Sequence, residues 1–192
     1  MGVDQKARIR REAAKLWARK GYHAAGVQEL ARATQLGKGA LYHHIGSKEQ
    51  LLYEISLSSV VDLVDAAEEV LAMDAPAPER LRLLSRGLMR KIADDLAEWK
   101  VFFHEVDTLT GAKHRTVMEF RERYEALWAQ LLREGAAAGD FDDLDPLAVK
   151  GVLGMHNYAY LWIRPGGRLE PEEVADLFVG ILLNGLSVSS SS

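Results

Sequence analysis

Histidines, lysines and carboxylates supply the reactive side chains of this 192-residue chain, which has six histidines, 28 acidic residues and no cysteine. The lack of cysteine excludes disulfides, thiolate nucleophiles and cysteine-based zinc sites. No residue spacing matches a metal-binding motif, a nucleophile elbow or a glycine-rich phosphate loop. His43 and His44 are adjacent, so they point about 100° apart on a helix and make a poor metal pair. We therefore predict no catalytic site, no metal and no cofactor.

A second group of side chains is suited to contacts with nucleic acid. Tyr42, His43 and His44 follow Lys38 within one short segment, and Lys48 comes four residues later. Their amino, hydroxyl and imidazole groups can donate hydrogen bonds to phosphates or to base edges. This segment is therefore a candidate DNA-contacting surface.

Two short predicted helices joined by a tight turn carry these side chains. Apolar residues recur at helical spacing through residues 27–34 and 38–44. This is a helix-turn-helix arrangement, in which the first helix braces the second. Leu41 and Ile45 lie four residues apart and can anchor the second helix to a core. Gly39 lets its backbone approach a ligand closely.

The charge distribution supports a polyanionic partner. Residues 1–50 hold ten Lys and Arg against four Asp and Glu, whereas residues 51–192 hold fourteen against twenty-four. A basic head on an acidic body indicates that the head meets nucleic acid.

Helical periodicity extends along the whole chain, and strand alternation is nearly absent, so we predict an all-α fold. No apolar run approaches the ~18 residues that span a membrane. No apolar secretory segment is present near the N-terminus, so we expect a cytoplasmic protein without a membrane partner. Ser47 and Gln50 have the spacing of a capping box. The nine predicted helices cover about 4–20, 27–34, 38–44, 48–73, 78–96, 98–109, 113–138, 145–163 and 171–186.

Residues 8–52 resemble the TetR family of bacterial repressors. Four segments carry the resemblance, of which the last is very specific: 13–17, 20–22, 27–31 and 38–52. The resemblance implies a nine-helix fold with an N-terminal helix-turn-helix domain, residues 1–47, and a helical ligand-binding and dimerisation domain, residues 48–192. It implies phosphate contacts for Tyr42 and Lys48. The residues that it places facing the major groove are Gln28, Lys38, Gly39 and His43.

The head departs from the family pattern in its turn and cap residues. Ala25 and Gly26 stand where the family has Thr or Ser, so the second helix lacks a hydroxyl cap, at a cost of roughly 1 kcal/mol. The family's turn glycine is Gln35 here, and Gly37 replaces the usual Ser or Thr cap of the third helix. Some phosphate contacts must therefore come from other residues.

The acidic body is expected to form a homodimer through the last two helices, as the family resemblance implies. Their apolar positions are Leu147, Val152, Leu153, Leu161, Val174, Leu177, Phe178, Ile181, Leu182 and Leu186. An ordinary internal core is the alternative for these residues. Aromatic and polar side chains of the body are candidates for a small apolar effector site: Phe102, Phe103, His104, Tyr124, Asn157, Tyr158 and Trp162.

Residues 98–186 resemble actinobacterial TetR-type regulators of fatty-acid and sterol catabolism. The strings that carry this resemblance include 121–124, 134–135, 139–141, 154–157, 162–167 and 171–176. It implies an acyl-CoA thioester as the effector. Arg82, Arg86 and Arg90 form one stripe that could meet CoA phosphates, although a solvated face paired with nearby acids is the simpler interpretation.

Three alternatives remain open from the sequence alone. The effector could instead be a drug or antibiotic, the regulator could activate rather than repress, or the chain could be a helical interaction module without DNA. The basic head and residues 38–52 favour a homodimeric repressor that binds a palindromic double-stranded operator and is released by its effector.

Overall fold

Helices form almost all of the described chain. A computed structural model gives the structure of residues 2–164 and 166–184, with side chains from Gln5 onwards. This part of the chain contains nine α-helices and no strand, as the periodicity predicted. The helices are α1 (Gly2–Lys20), α2 (Val27–Thr34), α3 (Lys38–Ile45), α4 (Lys48–Leu71), α5 (Ala77–Asp94), α6 (Leu96–Glu105), α7 (Gly111–Ala138), α8 (Ala148–Asn157) and α9 (Pro171–Asn184).

Contacts divide the helices into two packed units. The first unit comprises the residues up to Asp62 together with Asp95–Arg121. The second comprises Leu63–Asp94 and the residues from Glu122 onwards. The helices α4 and α7 therefore each contribute to both units. The predicted boundary after residue 47 divides a DNA-binding domain from a ligand-binding domain by function, not by packing. It stays a prediction.

The first unit is built around α1, which packs against α2 and α6. Trp17 of α1, Leu30 of α2 and Leu41 of α3 are almost completely buried, as is Phe102 of α6. Full burial of one such side chain contributes about 1.5–3 kcal/mol. The short helices α2 and α3 thus depend on this shared core.

The second unit is dominated by the packing of α5 along α9, with α8 against both. Leu81 and Leu88 of α5, Trp128 of α7 and Val179 of α9 are buried within it. Each of these helices buries one apolar face, as helical periodicity requires.

The start of α4 confirms half of the predicted capping box. The backbone N–H of Gln50 donates to Ser47 Oγ at 2.9 Å, as an N-cap serine should accept. The side chain of Gln50 does not reach back to Ser47; it donates to Glu54 Oε1 at 3.2 Å.

The predicted bounds of the eighth helix, 145–163, were wrong at both ends. Asp145 Oδ1 accepts the N–H of Leu147 at 2.8 Å and forms a turn before the helix, so α8 begins only at Ala148. It ends at Asn157 and continues as a 3-10 turn, Tyr158–Leu161. The sixth helix likewise ends at Glu105, before a 3-10 turn, Val106–Thr108. The predicted end of the last helix at Leu186 lies outside the described residues.

The loop after α7 folds back onto that helix and caps α5. The backbone N–H groups of Asp140 and Phe141 both donate to the carbonyl of Gly135, and the Asp140 carboxylate accepts the N–H of Ala77 at 3.3 Å. Gly139 has a φ of +80°, the left-handed conformation that commonly ends a helix. A Cβ at Gly135 would lie 2.2 Å from the ring of Phe141 and 2.9 Å from Cβ of Ala77.

We predict that Gly135→Ala lowers the free energy of unfolding by about 1–3 kcal/mol, because the Phe141 ring would have to leave its position. Gly87→Ala is the matched control: Gly87 is also helical, no atom lies within 4 Å of the added Cβ, and the change should stabilise by up to ~1 kcal/mol. Chemical denaturation of all three proteins at one concentration measures both. Equal unfolding midpoints would contradict the packing described here.

Candidate nucleic-acid interface

The turn between α2 and α3 is held by polar contacts with the head. Gln35 ends α2 in the left-handed conformation, with a φ of 55°, at the position where the family has glycine. Thr34 is fully buried and its Oγ1 donates to the carbonyl of Leu30 at 2.8 Å. Arg8 of α1 donates to the carbonyl of Thr34 at 2.9 Å. The end of α2 is therefore fixed although its turn residue is not glycine.

The recognition helix α3 has one buried and one exposed face. Leu41 and Ile45 are buried, as predicted. Exposed positions include most of those predicted to contact DNA: Gln28 on α2, and Lys38, Gly39, Tyr42 and His43 on α3. His44 is half-buried. The structure thus brings these residues to one short, solvent-facing pair of helices.

The N-cap residues of α2 and α3 are both glycine. Gly26 and Gly37 occupy the two N-cap positions in extended conformation, and neither residue has a side chain that can cap its helix. At the start of α2 the carboxylate of Glu29 accepts a hydrogen bond from the backbone of Gly26. Lys20 and, to a smaller extent, this hydrogen bond lower the pKa of Glu29.

Lys48 is engaged within the protein rather than extended into solvent. Its Nζ donates to the carbonyl oxygen of Tyr22 and lies 4.2 Å from the centroid of the Tyr22 ring. Burial lowers the pKa of Lys48, and the nearby Glu105 carboxylate opposes that shift. No local pattern indicated this contact, because Tyr22 and Lys48 are 26 residues apart.

The predicted effector residues are divided between the two units. Phe102 is buried on α6 and packs edge-on against Trp99, with ring centroids 5.7 Å apart. Phe103 and His104 belong to the same unit. Tyr124 is buried in the second unit, where its ring meets Trp128 at 6.1 Å.

The other three predicted effector residues lie near the end of α8. Asn157 is half-buried, whereas Tyr158 and Trp162 are 64% and 46% exposed. Two cavities in the second unit have linings that contain none of the seven. The larger, about 560 Å³, lies between α7 and residues 143–149, and the smaller is about 270 Å³.

The arginine stripe of α5 is paired with acids of α9. Arg86 binds Asp176 through two hydrogen bonds, of 2.8 and 2.6 Å. Arg82 lies 3.5 Å from the same carboxylate, and Arg90 pairs with Glu172. The Arg86 guanidinium holds the pKa of Asp176 below its usual range. These contacts match the simpler interpretation, a solvated face paired with acids.

Two apolar faces can be distinguished on α8 and α9. Val152, Leu153 and Val174, three of the predicted dimer residues, are buried within the unit. Four others, Leu147, Leu161, Leu177 and Ile181, are exposed, and with the exposed Tyr158 and Trp162 they make up what we define as the exposed apolar face. Phe178 and Leu182 are half-buried, and Leu186 lies outside the described residues. The sequence pattern did not separate these two sets, because both have helical spacing.

His156 joins three helices inside the second unit. Its Nδ1 lies 2.7 Å from the carbonyl oxygen of Val152, and its Nε2 lies 2.7 Å from Ser85 Oγ on α5. Because a carbonyl only accepts, Nδ1 carries the proton and Nε2 accepts from Ser85. Ser85 Oγ also lies 3.3 Å from the carbonyl of Ala175 on α9. Burial lowers the pKa of His156.

Neither a membrane helix nor a metal cluster occurs in the described ranges, 2–164 and 166–184. No helix there is long and apolar enough to cross a membrane. No group of three or more His, Cys, Asp and Glu residues there is arranged to hold a metal ion.

An N-terminal helix-turn-helix with an exposed polar recognition face, in a chain of helices, defines a DNA-binding transcriptional regulator. Comparison with known families agrees: residues 9–55 match "Bacterial regulatory proteins, tetR family", and residues 74–186 match "Tetracyclin repressor-like, C-terminal domain". The chain belongs to the tetR family of bacterial regulatory proteins.

Three known proteins are similar to this chain over more than nine tenths of its length. The HTH-type transcriptional repressor KstR2 of Rhodococcus jostii is 30% identical over 91% of this chain and 87% of its own. The crystal structure of the TetR-family regulator PfmR from Thermus thermophilus is 38% identical, covers 94% of this chain and 100% of its own, and has a TM-score of 0.88. AibR, solved in complex with isovaleryl coenzyme A and operator DNA, is 30% identical over 93% and 98%, with a TM-score of 0.82.

We predict that His156 makes the free energy of unfolding fall as the pH is lowered from about 7 to 5. The folded state disfavours the imidazolium, so the unfolded chain takes up the proton first, below about pH 6.5, and folding loses stability until the pH passes the lowered folded pKa. His156→Gln removes this titration. Denaturation midpoints at both pH values should therefore fall less in the variant, and an equal fall in both proteins would contradict the assignment.

Proposed function

We propose that the chain is a homodimeric transcriptional repressor that acts in the cytoplasm, binds a near-palindromic operator and leaves it when an acyl-CoA thioester binds. The observation that carries the DNA-binding part is the division of α3 into a buried face, Leu41 and Ile45, and an exposed polar face. An exposed recognition helix anchored in this way can enter the major groove. The proposal contains no catalytic step.

The contact residues follow from exposure. Tyr42 is 38% exposed and can donate its hydroxyl to a phosphate, while Lys38 and His43 point polar atoms from the same helix to base edges. Gly39 permits close approach of the backbone, and Gln28 adds a contact from α2. His44 is half-buried and takes a lesser part. Residues 1–47 form the DNA-binding domain in this proposal.

The effector class is supported by the relatives rather than by a cavity. AibR, which is similar over 93% of this chain, was solved with isovaleryl coenzyme A and operator DNA, and the KstR2 relative supports a repressor. We assign effector contacts to Tyr124 and Asn157, which both lie in the second unit, within the domain of residues 48–192. Phe102, Phe103 and His104 lie in the first unit, and their effector role stays a prediction. The arginine stripe is not assigned to the CoA phosphates, because its guanidinium groups already pair with Asp176 and Glu172.

The dimer brings two copies of α3 to one DNA duplex. Two-fold symmetric dimers place recognition helices about 34–36 Å apart, in successive major grooves, so the operator should be a near-palindrome. Release requires only that the effector bind the DNA-incompetent arrangement more tightly. A coupling free energy of about 1–3 kcal/mol lowers operator affinity 5- to 150-fold.

We expect the protein to bind its own upstream intergenic DNA in a fluorescence-anisotropy titration, and isovaleryl-CoA to lower that affinity. Isovalerate and free CoA are the matched controls, since each carries one half of the thioester. Release by the thioester alone supports the complete proposal. Binding that no acyl-CoA disturbs would leave a repressor with another effector, such as a drug, and absence of binding at low salt, there and in a random-oligonucleotide selection, would refute DNA recognition.

The exposed apolar face should form the dimer, and we include Tyr158 and Trp162 in it rather than in the effector site. We predict that Ile181→Asp raises the dimer dissociation constant by at least about a hundredfold, because two-fold symmetry buries two unpaired carboxylates. Met73→Asp is the control: Met73 is 46% exposed, close to the 43% of Ile181, but lies outside this face. Analytical ultracentrifugation measures the dimer dissociation constant of both variants. An Ile181→Asp protein that stays dimeric would contradict the assignment of this face to the dimer.

A further inference from the structure

The backbone of Tyr22 is held from both sides by charged side chains of two other helices. Its N–H donates to Glu105 Oε1, at the end of α6, at 2.9 Å. Its carbonyl oxygen accepts a hydrogen bond from Nζ of Lys48, the first residue of α4. Both backbone polar groups of a residue outside any helix are thus satisfied by side chains. We call Tyr22, Lys48 and Glu105 the clasp.

The clasp acts on the turn that leads into the helix-turn-helix. Gly21 ends α1 with a φ of +83°, and Tyr22 begins the short connection to α2. The Tyr22 ring is buried and packs edge-on against Trp17 at 4.9 Å. Because α2 braces α3, the position of this turn sets the position of the recognition helix.

The segment around Glu105 makes further polar contacts with the start of α4. Lys113 Nζ lies 3.1 Å from Glu49 Oε2, and Thr110 Oγ1 donates to the same carboxylate at 3.4 Å. The start of α7 is therefore fixed to the start of α4, within the first unit.

The ammonium of Lys48 has its interactions within the chain. A cation in the first turn of a helix is opposed by the helix dipole. Here the Tyr22 carbonyl, the face of the Tyr22 ring at 4.2 Å and the field of the Glu105 carboxylate offset part of that cost, while burial still lowers the pKa of Lys48.

We propose that Lys48 and Glu105 are positioning residues, which hold the Tyr22 peptide between α4 and α6 and so orient α2 and α3, and that Lys48 does not neutralise a DNA phosphate. The proposal rests on the proposed function, because operator affinity is its readout. It assigns Lys48 a role different from the phosphate contact that the family resemblance implies.

The salt dependence of operator binding separates the two roles of Lys48. Each phosphate contact contributes about 0.9 to the slope of log K against log salt concentration. Lys48→Met should weaken binding to the upstream intergenic duplex about tenfold at every salt concentration, with the wild-type slope. Lys38→Met, which removes a charge from the exposed face of α3, shows the slope change for a DNA-facing lysine. A slope reduced by about 0.9 in Lys48→Met, or an unchanged affinity, would overturn the proposal.

A pair of substitutions at Glu105 tests the other half of the clasp. Glu105→Ala removes the acceptor, whereas Glu105→Gln keeps an acceptor oxygen and removes the charge. If Glu105 acted only through its charge, both variants would bind the DNA polyanion more tightly. We expect weaker binding by Glu105→Ala and near-wild-type binding by Glu105→Gln. Tighter binding by both variants, or equal losses, would refute the positioning role.

Hydrogen exchange provides a readout that needs no DNA. The Tyr22 amide should exchange faster in Glu105→Ala and at about the wild-type rate in Glu105→Gln, and equal exchange in all three proteins would contradict the hydrogen bond. Circular dichroism checks that each variant is folded. If Lys48→Met does not fold, the two Glu105 variants test the positioning role instead. If the wild-type protein binds no DNA, the proposed function is refuted. If the wild-type protein binds DNA but Glu105→Ala does not bind it more weakly than Glu105→Gln, only the role of the clasp is refuted.

Discussion

Burial of Leu41 and Ile45 is the interaction on which the rest of the DNA-binding surface depends. The helix α3 has eight residues, too few to be stable alone in water, and its N-terminus has no side-chain cap. It therefore exists only because these two side chains join the core that contains Trp17 and Leu30. That attachment decides which residues are exposed, and hence which can reach DNA.

The number and order of helices could be predicted because amphipathic spacing reports directly on burial. The bounds were less accurate where a side chain competes with the helix. Asp145 accepts the N–H of Leu147, so the chain forms a turn where the apolar pattern already indicated α8. In contrast, Ser47 caps α4 as its local sequence predicts.

Long-range partners could not be predicted in the same way. Spacing placed Arg82, Arg86 and Arg90 on one face, yet it could not show that Asp176, 90 residues after Arg86, would pair with them. The family resemblance implied a phosphate contact for Lys48. It could not show the contact between Lys48 and the carbonyl of Tyr22, because only the tertiary fold brings these two residues together.

The pairing of α5 with α9 also bears on the proposed dimer. A helix with apolar residues on two faces has little reason to stay in one orientation on its own protomer. Here Ser85, hydrogen-bonded to His156 and close to the carbonyl of Ala175, fixes α9 from within, and Arg86 with Asp176 fixes it at the surface. The face carrying Leu177 and Ile181 is thus oriented before any partner arrives. Association then does not have to order this helix, so less conformational entropy is lost on binding.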